Sequence, residues 1–258
     1  MFILATKLMM VADSFYIPKI NPEKPLGEDA HFFCRTAQVI GVADGVGGWA
    51  RKGIDAGEYA RELMRNAADS VKYSCPSAVD PKSVLFHAFK KTSKPGSSTA
   101  CIINLDGNRL RAANLGDSGF SVIREGTTIY RSPVQQHEFN TPYQLGIRSS
   151  PDGPVEAAEM VVEVESGDII VVGTDGLFDN VFPEDVEATV DRCLKDGTPP
   201  AMVARELAKT ALRNSLKRDT VSPYEVAAYE AGVTHSGGKP DDITVVVAYV
   251  LPMGITFA

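Results

Sequence analysis

Four cysteines, four histidines and one tryptophan leave little room for several kinds of chemistry in this 258-residue chain. Cys34, Cys75, Cys101 and Cys193 are scattered, with no C-x-x-C pair and no zinc-type spacing, so a zinc site is not expected. Cys34 and Cys101 fall in or beside apolar runs and read as small buried hydrophobes of a reduced, intracellular protein. No Lys/Arg run marks a nucleic-acid surface, and 33 acidic against 26 basic residues give a net charge of −7. Lys90 and Lys91, with Lys94, read as the solvated end of a helix. Nucleic acid is therefore not an expected partner. The apolar N-terminus, Met1 to Val11, is about 11 residues long, too short for a membrane span. It also lacks a charged leader and a cleavage site, so it reads as a first strand rather than a signal peptide. No Gly/Ser/Pro linker, repeat or low-complexity segment divides the chain. A composition of 44% hydrophobic and 23% charged residues then points to one domain over residues 1–258.

What is present is a series of short apolar runs and amphipathic stretches. Val39 to Ala43 is strand-like and ends in Asp44-Gly45. Asp55 caps a predicted helix, with Glu58 as its capping-box partner, and Ala60, Leu63, Met64, Ala67 and Val71 recur on one face. Asp80-Pro81 opens a second helix to about Lys91. Thr99 to Tyr130 reads as an antiparallel meander with turns at Asp106-Gly107 and Glu125-Gly126. Residues 132–159 carry four prolines and read as an irregular, functional loop. Met160 to Val164 and Asp168 to Gly173 are strands joined at Ser166-Gly167. Helices follow from Pro183, Pro200 and Pro223, and Ile243 to Leu251 is a strand suited to a central position. Hairpins mixed with helix pairs predict an α+β fold in four layers, αββα: a central antiparallel β-sandwich flanked by helix pairs.

Three acidic sites share one local design. Asp44 and Asp175 each end an apolar run and precede a glycine, while Asp241-Asp242 stand just ahead of Ile243 to Val247. Taken singly, each is an ordinary Asp-Gly turn or strand start. Three together, with no His/Cys cluster beside them, suit a hard cation such as magnesium or manganese. Without such ions the carboxylates would repel one another.

The segments Leu26-Gly27-Glu28-Asp29-Ala30-His31, Val42-Ala43-Asp44-Gly45-Val46-Gly47-Gly48, Gly96-Ser97-Ser98-Thr99-Ala100, Leu115-Gly116-Asp117-Ser118-Gly119, Thr174-Asp175-Gly176-Leu177-Phe178-Asp179 and Asp241-Asp242-Ile243-Thr244-Val245 follow in that order. Together they resemble the motifs of the type 2C, metal-dependent (PPM) protein phosphatases over about residues 15–250. The branch with Val-Gly-Gly-Trp after the first Asp-Gly, which includes organellar enzymes, is the most similar. The resemblance implies a serine/threonine phosphatase acting on phosphoprotein substrates, with two divalent ions, Mg2+ or Mn2+, and a third, weaker one. It implies that Asp44 bridges two metals and that Gly45 offers its carbonyl. Glu28 would hold one ion through water, Asp175 and Asp241 the other, and Asp117 would help with the third. Asp44, Asp175 and Asp241 would carry catalysis through a metal-activated water, without a covalent phospho-enzyme. A monomer is expected, and the resemblance makes chloroplast or mitochondrion the candidate compartment.

Two positions depart from the family pattern. Val46 stands where many members have a His proposed as general acid. Lys24 stands where many have a phosphate-gripping Arg, and a lysine lacks the bidentate fork; its alternative is a solvated loop charge. His31 reads as a packing or supporting residue, Trp49 as a packing anchor, and residues 132–159 as a substrate-selecting flap. Two other functions stay open: a catalytically weak, metal-binding regulatory module that captures phosphoproteins, and a hydrolase of small phosphate esters.

Overall fold

The structure, a computed structural model, describes residues 7–146 and 152–254. Strand β1 (Leu8–Ile17) runs further than the expected first strand, whose beginning in residues 1–6 lies outside the described residues. β2 (Asp29–Cys34) and β3 (Val39–Asp44) pair antiparallel. Helices α1 (Ala56–Val71) and α2 (Pro81–Lys91) follow, and a short β4 (Ser97–Ser98) leads into the hairpin of β5 (Ala100–Asp106) and β6 (Arg109–Leu115). β7 (Gly119–Arg124) and β8 (Thr127–Arg131) form a second hairpin. Three short strands, β9 (Gln136–Glu138), β10 (Thr141–Pro142) and β11 (Leu145–Gly146), come next. β12 (Ala158–Glu163), β13 (Ile169–Gly173) and the one-turn α3 (Asp175–Phe178) precede α4 (Pro183–Lys195), α5 (Pro200–Ser215) and α6 (Pro223–Glu230). β14 (Ile243–Pro252) closes the described chain.

The strands make two five-stranded antiparallel sheets, β12-β6-β5-β3-β2 and β1-β14-β13-β7-β8. Continuous apolar runs sit where both faces are covered: β13 is buried throughout, as are β3 up to Ala43 and β14 up to Val250. The outer strands β8 and β12 alternate between covered and exposed positions, as a strand with one wet face must. Met10, Ile40, Ile103, Phe120, Val172 and Val246 fill the space between the sheets. Leu63, Met64 and Leu85 pack α1 and α2 on one outer face, and Val190, Val203 and Leu207 pack α4 and α5 on the other. The expected αββα order is the observed one. Each fully buried aliphatic side chain in these layers is worth about 1.5–3 kcal/mol.

Three sequence readings need correction. The stretch from Thr99 to Tyr130 is two hairpins in opposite sheets, and β12 and β13 likewise belong to different sheets. Alternation identifies a strand but not its partner, and the Gly116-Asp117-Ser118 crossover breaks the run. Asp55 does cap α1, accepting from the Gly57 N–H, but Glu58 pairs with Lys94 at 2.8 Å instead of closing a capping box. Residues 132–159 hold three short strands rather than irregular chain throughout; residues 147–151 of that segment lie outside the described residues.

Candidate metal centre

The two sheets bring their ends together on one edge, around a cleft of about 580 Å³. Asp44 is the last residue of β3, held by Thr99, whose N–H donates to the Asp44 carbonyl and whose hydroxyl accepts from the Asp44 N–H. Gly45 follows under close packing, because an added Cβ would lie 2.7 Å from the Glu28 carbonyl oxygen and 2.8 Å from Ala56. Asp117 sits in the crossover between β6 and β7, its Oδ2 accepting from Gln136 at 2.9 Å. Asp175 opens α3, a helical turn where the sequence reading saw only a strand end.

Oxygens of Asp44, Asp117 and Asp175 all lie within 4.8 Å of one another. Glu28 and Asp241 line the same cleft outside that trio. Asp241 faces the cleft, whereas Asp242 is buried and accepts from Tyr16 Oη, the Lys19 N–H and the Glu28 N–H. Asp242 thus ties the ends of β1 and β14 to the loop that carries Glu28. Asp29, opposite Asp44 in the β2–β3 ladder, accepts from the hydroxyls of Thr174 and Thr244 and joins the two sheets beneath the cleft.

Lys24 is neither a solvated charge nor a cleft residue. Its Nζ donates to Glu28 Oε1 at 2.7 Å with only 13% of the side chain exposed, and it is absent from the cleft lining. The cations that do line the cleft are Lys19, Arg51 and Lys239, none of which the sequence reading singled out. Their signal was weak: isolated basic residues in loops look solvated until the fold gathers them. Val46 lines the cleft as an apolar side chain. His31 bonds Ser14 Oγ at 2.8 Å, away from the trio, and Trp49 donates to Ser97 Oγ at 2.6 Å beside the cleft. Asn140, Thr141, Pro142 and Gln144 of the 132–159 segment form one wall. Gln144 accepts from Ser97 Oγ, and its N–H donates to Asp152, which also takes His137 Nε2 at 3.0 Å.

Crowded carboxylates make ionisation costly here. Burial, then the Asp175, Asp29, Asp241 and Asp117 charges, push the Asp44 carboxyl well above its ordinary value. Burial and Asp175 push Asp117 up to about 7, and Asp179 and Asp241 are each pushed up to about 6 for the same two reasons. Burial opposes ionisation of Asp175 as well, but the Lys239 ammonium holds that carboxyl below its usual range. Asp117 Oδ1 and Asp175 Oδ1 are buried with no hydrogen-bond partner. Unsatisfied, mutually repelling oxygens with no nitrogen or sulfur donor among them fit a hard divalent cation.

A carboxyl raised in the folded state stabilises the protein at low pH and loses that contribution as pH rises through its folded pKa. Asp179, Asp241 and Asp117 act this way between about pH 4 and 7, and Asp44, raised well above its ordinary value, acts in the same sense. His31, lowered by burial, acts in the opposite sense as a single group. Chelated protein is expected to melt roughly 5 °C or more lower at pH 8 than at pH 5.5, with manganese removing the difference. Differential scanning calorimetry at the two pH values checks it; a higher chelated melting temperature at pH 8 contradicts the electrostatic account.

A family model described as Stage II sporulation protein E (SpoIIE) matches residues 36–251. Probable protein phosphatase 2C 55 of Arabidopsis thaliana is 47% identical over 96% of this chain, and the chain spans 53% of that relative's length. The X-ray structure of the photosystem II phosphatase PBCP superimposes with a TM-score of 0.85 at 32% identity, covering 95% of this chain and 100% of that one. The catalytic domain of the serine threonine protein phosphatase PstP, in complex with 2 manganese ions, shares the fold with a TM-score of 0.67 at 20% identity, covering 95% and 99% of the two chains. Among the described residues, no helix is long and apolar enough to cross a membrane. With its two-sheet fold and its edge of clustered aspartates, the chain belongs to the SpoIIE, protein phosphatase 2C-type family.

Proposed function

We propose that this chain is a metal-dependent protein serine/threonine phosphatase. The observation that carries the reading is the trio Asp44, Asp117 and Asp175, with two of its buried oxygens lacking any partner. Asp44, Asp175 and Asp241 would hold one divalent ion. Asp44, Gly45 and Glu28 would hold a second, with Asp117 available to a third; Mg2+ and Mn2+ both suit oxygen donors. Bound there, the ions would supply positive charge for the phosphoryl group and a water of lowered pKa for its hydrolysis. The manganese ions of PstP and the names of the relatives support this reading.

The chain's own residues shape the rest. Lys24 acts by holding Glu28, so it does not grip phosphate directly. Lys19 pairs with Asp241 at 3.6 Å, so Arg51 is the cleft cation offered to a phosphate, and its guanidinium has the fork that Lys24 lacks. Val46 brings no proton to the leaving alcohol. Val46→His is therefore expected to raise kcat on a phosphoserine peptide by about tenfold or more, while an aryl phosphate with a good leaving group gains less. Equal gains on both, or none, would contradict a missing general acid.

The names of the relatives, which are protein phosphatases, support a phosphopeptide over a small ester. The interlocked strands of both sheets support one catalytic domain over residues 1–258, while a monomer and a chloroplast or mitochondrial compartment rest on the family resemblance alone. Steady-state kinetics on a phosphothreonine peptide and a small sugar phosphate tests the substrate class. A kcat/KM at least about tenfold higher for the peptide is expected, a ratio worth about 1.4 kcal/mol of transition-state binding. A preference for the sugar phosphate would favour the small-ester hydrolase instead.

A further inference from the structure

Helix α6 shows apolar side chains to solvent. It buries Ala228 but leaves Val226 39% and Tyr229 84% exposed. Val221 before the helix and Val233 after it are exposed as well, and these four side chains line one groove of about 500 Å³. Single exposed apolar residues are ordinary on a protein surface, whereas a contiguous set in a concave place marks a binding surface. The groove is fixed in shape. Ser222 caps α6 by accepting from the Glu225 N–H, and its hydroxyl donates to the Gly237 carbonyl at 2.7 Å. Glu225 accepts from the Gly237 N–H at 2.7 Å, and the Val233 N–H donates to the Ala228 carbonyl at 2.8 Å.

One aromatic ring separates this groove from the cleft. The Tyr224 centroid lies 5.2 Å from Nζ of Lys239, which lines the cleft. Tyr224 also meets Phe139, at 5.1 Å between centroids, and Phe139 precedes Asn140 of the cleft wall. On its other side Tyr224 meets His235 edge-on at 4.7 Å, and His235 lines the groove. The groove therefore begins where the cleft wall ends. From Tyr224, α6 carries it outward at about 1.5 Å per residue, past Val226 to Tyr229. An extended peptide advances about 3.3 Å per residue. A chain with its phosphate in the cleft thus reaches the groove with residues about three to six places from the phosphorylated one.

We propose that this groove is a substrate subsite, taking an apolar side chain of the phosphoprotein about three to six residues from the phosphothreonine. Its lining selects the kind of side chain. Among the described residues its charged group is the Glu225 carboxylate, with no lysine or arginine beside it. A leucine buries apolar surface there, while a glutamate gives up water and meets a like charge.

The inference rests on the phosphatase reading above, and its test separates the two. Phosphothreonine peptides carrying leucine or glutamate at each place from three to six residues on either side are compared in manganese. Wild type is compared with Val226→Asp/Val233→Asp and Val226→Lys/Val233→Lys. Each enzyme is judged by its own leucine-to-glutamate ratio of kcat/KM, so a loss of folded protein cancels. Wild type is expected to favour leucine by about tenfold at one or more of these places, chiefly through KM. The aspartate pair is expected to abolish that preference and the lysine pair to reverse it. A wild-type ratio near one at every place overturns the proposal, as does a preference that both double variants retain. A dimer broken by the double variants, with the peptide preference intact, would assign the groove to a second copy of this chain instead. A wild type that hydrolyses none of the peptides sinks the phosphatase reading. Fluorescence anisotropy of the same peptides, labelled, then reads the groove directly: tighter binding with leucine, lost in the aspartate pair, upholds it, and equal binding overturns it.

Discussion

Asp175→Asn is expected to lower phosphate release from a phosphothreonine peptide by roughly 10³-fold while leaving the circular dichroism spectrum unchanged. The substitution preserves shape and removes the charge at the one residue that joins both halves of the centre. Asp175 meets Asp44 and Asp117 on one side and Lys239 on the other. Loss of a group aimed at the charge of a transition state typically costs 10²–10³ in rate, and here the loss would also weaken the hold on a metal ion. Neutralising Asp175 also leaves Lys239 with two partners where it had three. A variant that keeps more than about a tenth of wild-type turnover would show that the chemistry lies elsewhere.

Gly176→Ala is expected to be the most damaging single methyl in the molecule. A Cβ at this position would stand 1.9 Å from the Asp242 carbonyl oxygen and 2.9 Å from its carbon. Both are backbone atoms of the residue just before β14 and cannot rotate away. Helix α3 would have to lift off that strand, carrying Asp175 with it, and Asp242 would loosen its grip on Tyr16 and Glu28. A loss of about 3 kcal/mol or more is expected, seen as a fall in melting temperature of roughly 6–12 °C, together with loss of turnover. Gly48→Ala is the control, because no atom lies within 4 Å of the added methyl and the residue has no left-handed backbone. It should stay within about 0.5 kcal/mol of wild type. Equal effects at the two glycines would contradict the packing argument.

The elements of the fold were legible in the sequence because their signals are local. Asp80-Pro81 marks α2 by capping chemistry, and its side chain does accept from the Ser83 N–H. The run Ile243 to Leu251 marks a strand covered on both faces, and β14 lies between β1 and β13. Pairing was not legible, since a hairpin pattern such as Met160 to Gly173 is the same whether its strands share a sheet or face each other. The aspartates could be found because each sits at the end of an apolar run or beside a glycine. Lys239, Arg51 and Lys19 could not be, because an isolated basic residue acquires its role only from what the fold places around it. Lys24 shows the converse: four residues before Glu28 it looked like a phosphate clamp, and the loop turns it onto Glu28 instead.

Phosphate release from a phosphothreonine peptide, followed across a manganese titration and again after chelation, tests the central claim most directly. The account predicts turnover that rises with manganese, disappears with chelator and returns when manganese is restored. Turnover indifferent to chelation would contradict the metal centre. Absence of turnover in protein shown by calorimetry to bind manganese would contradict the phosphatase and leave a metal-binding regulatory module in its place.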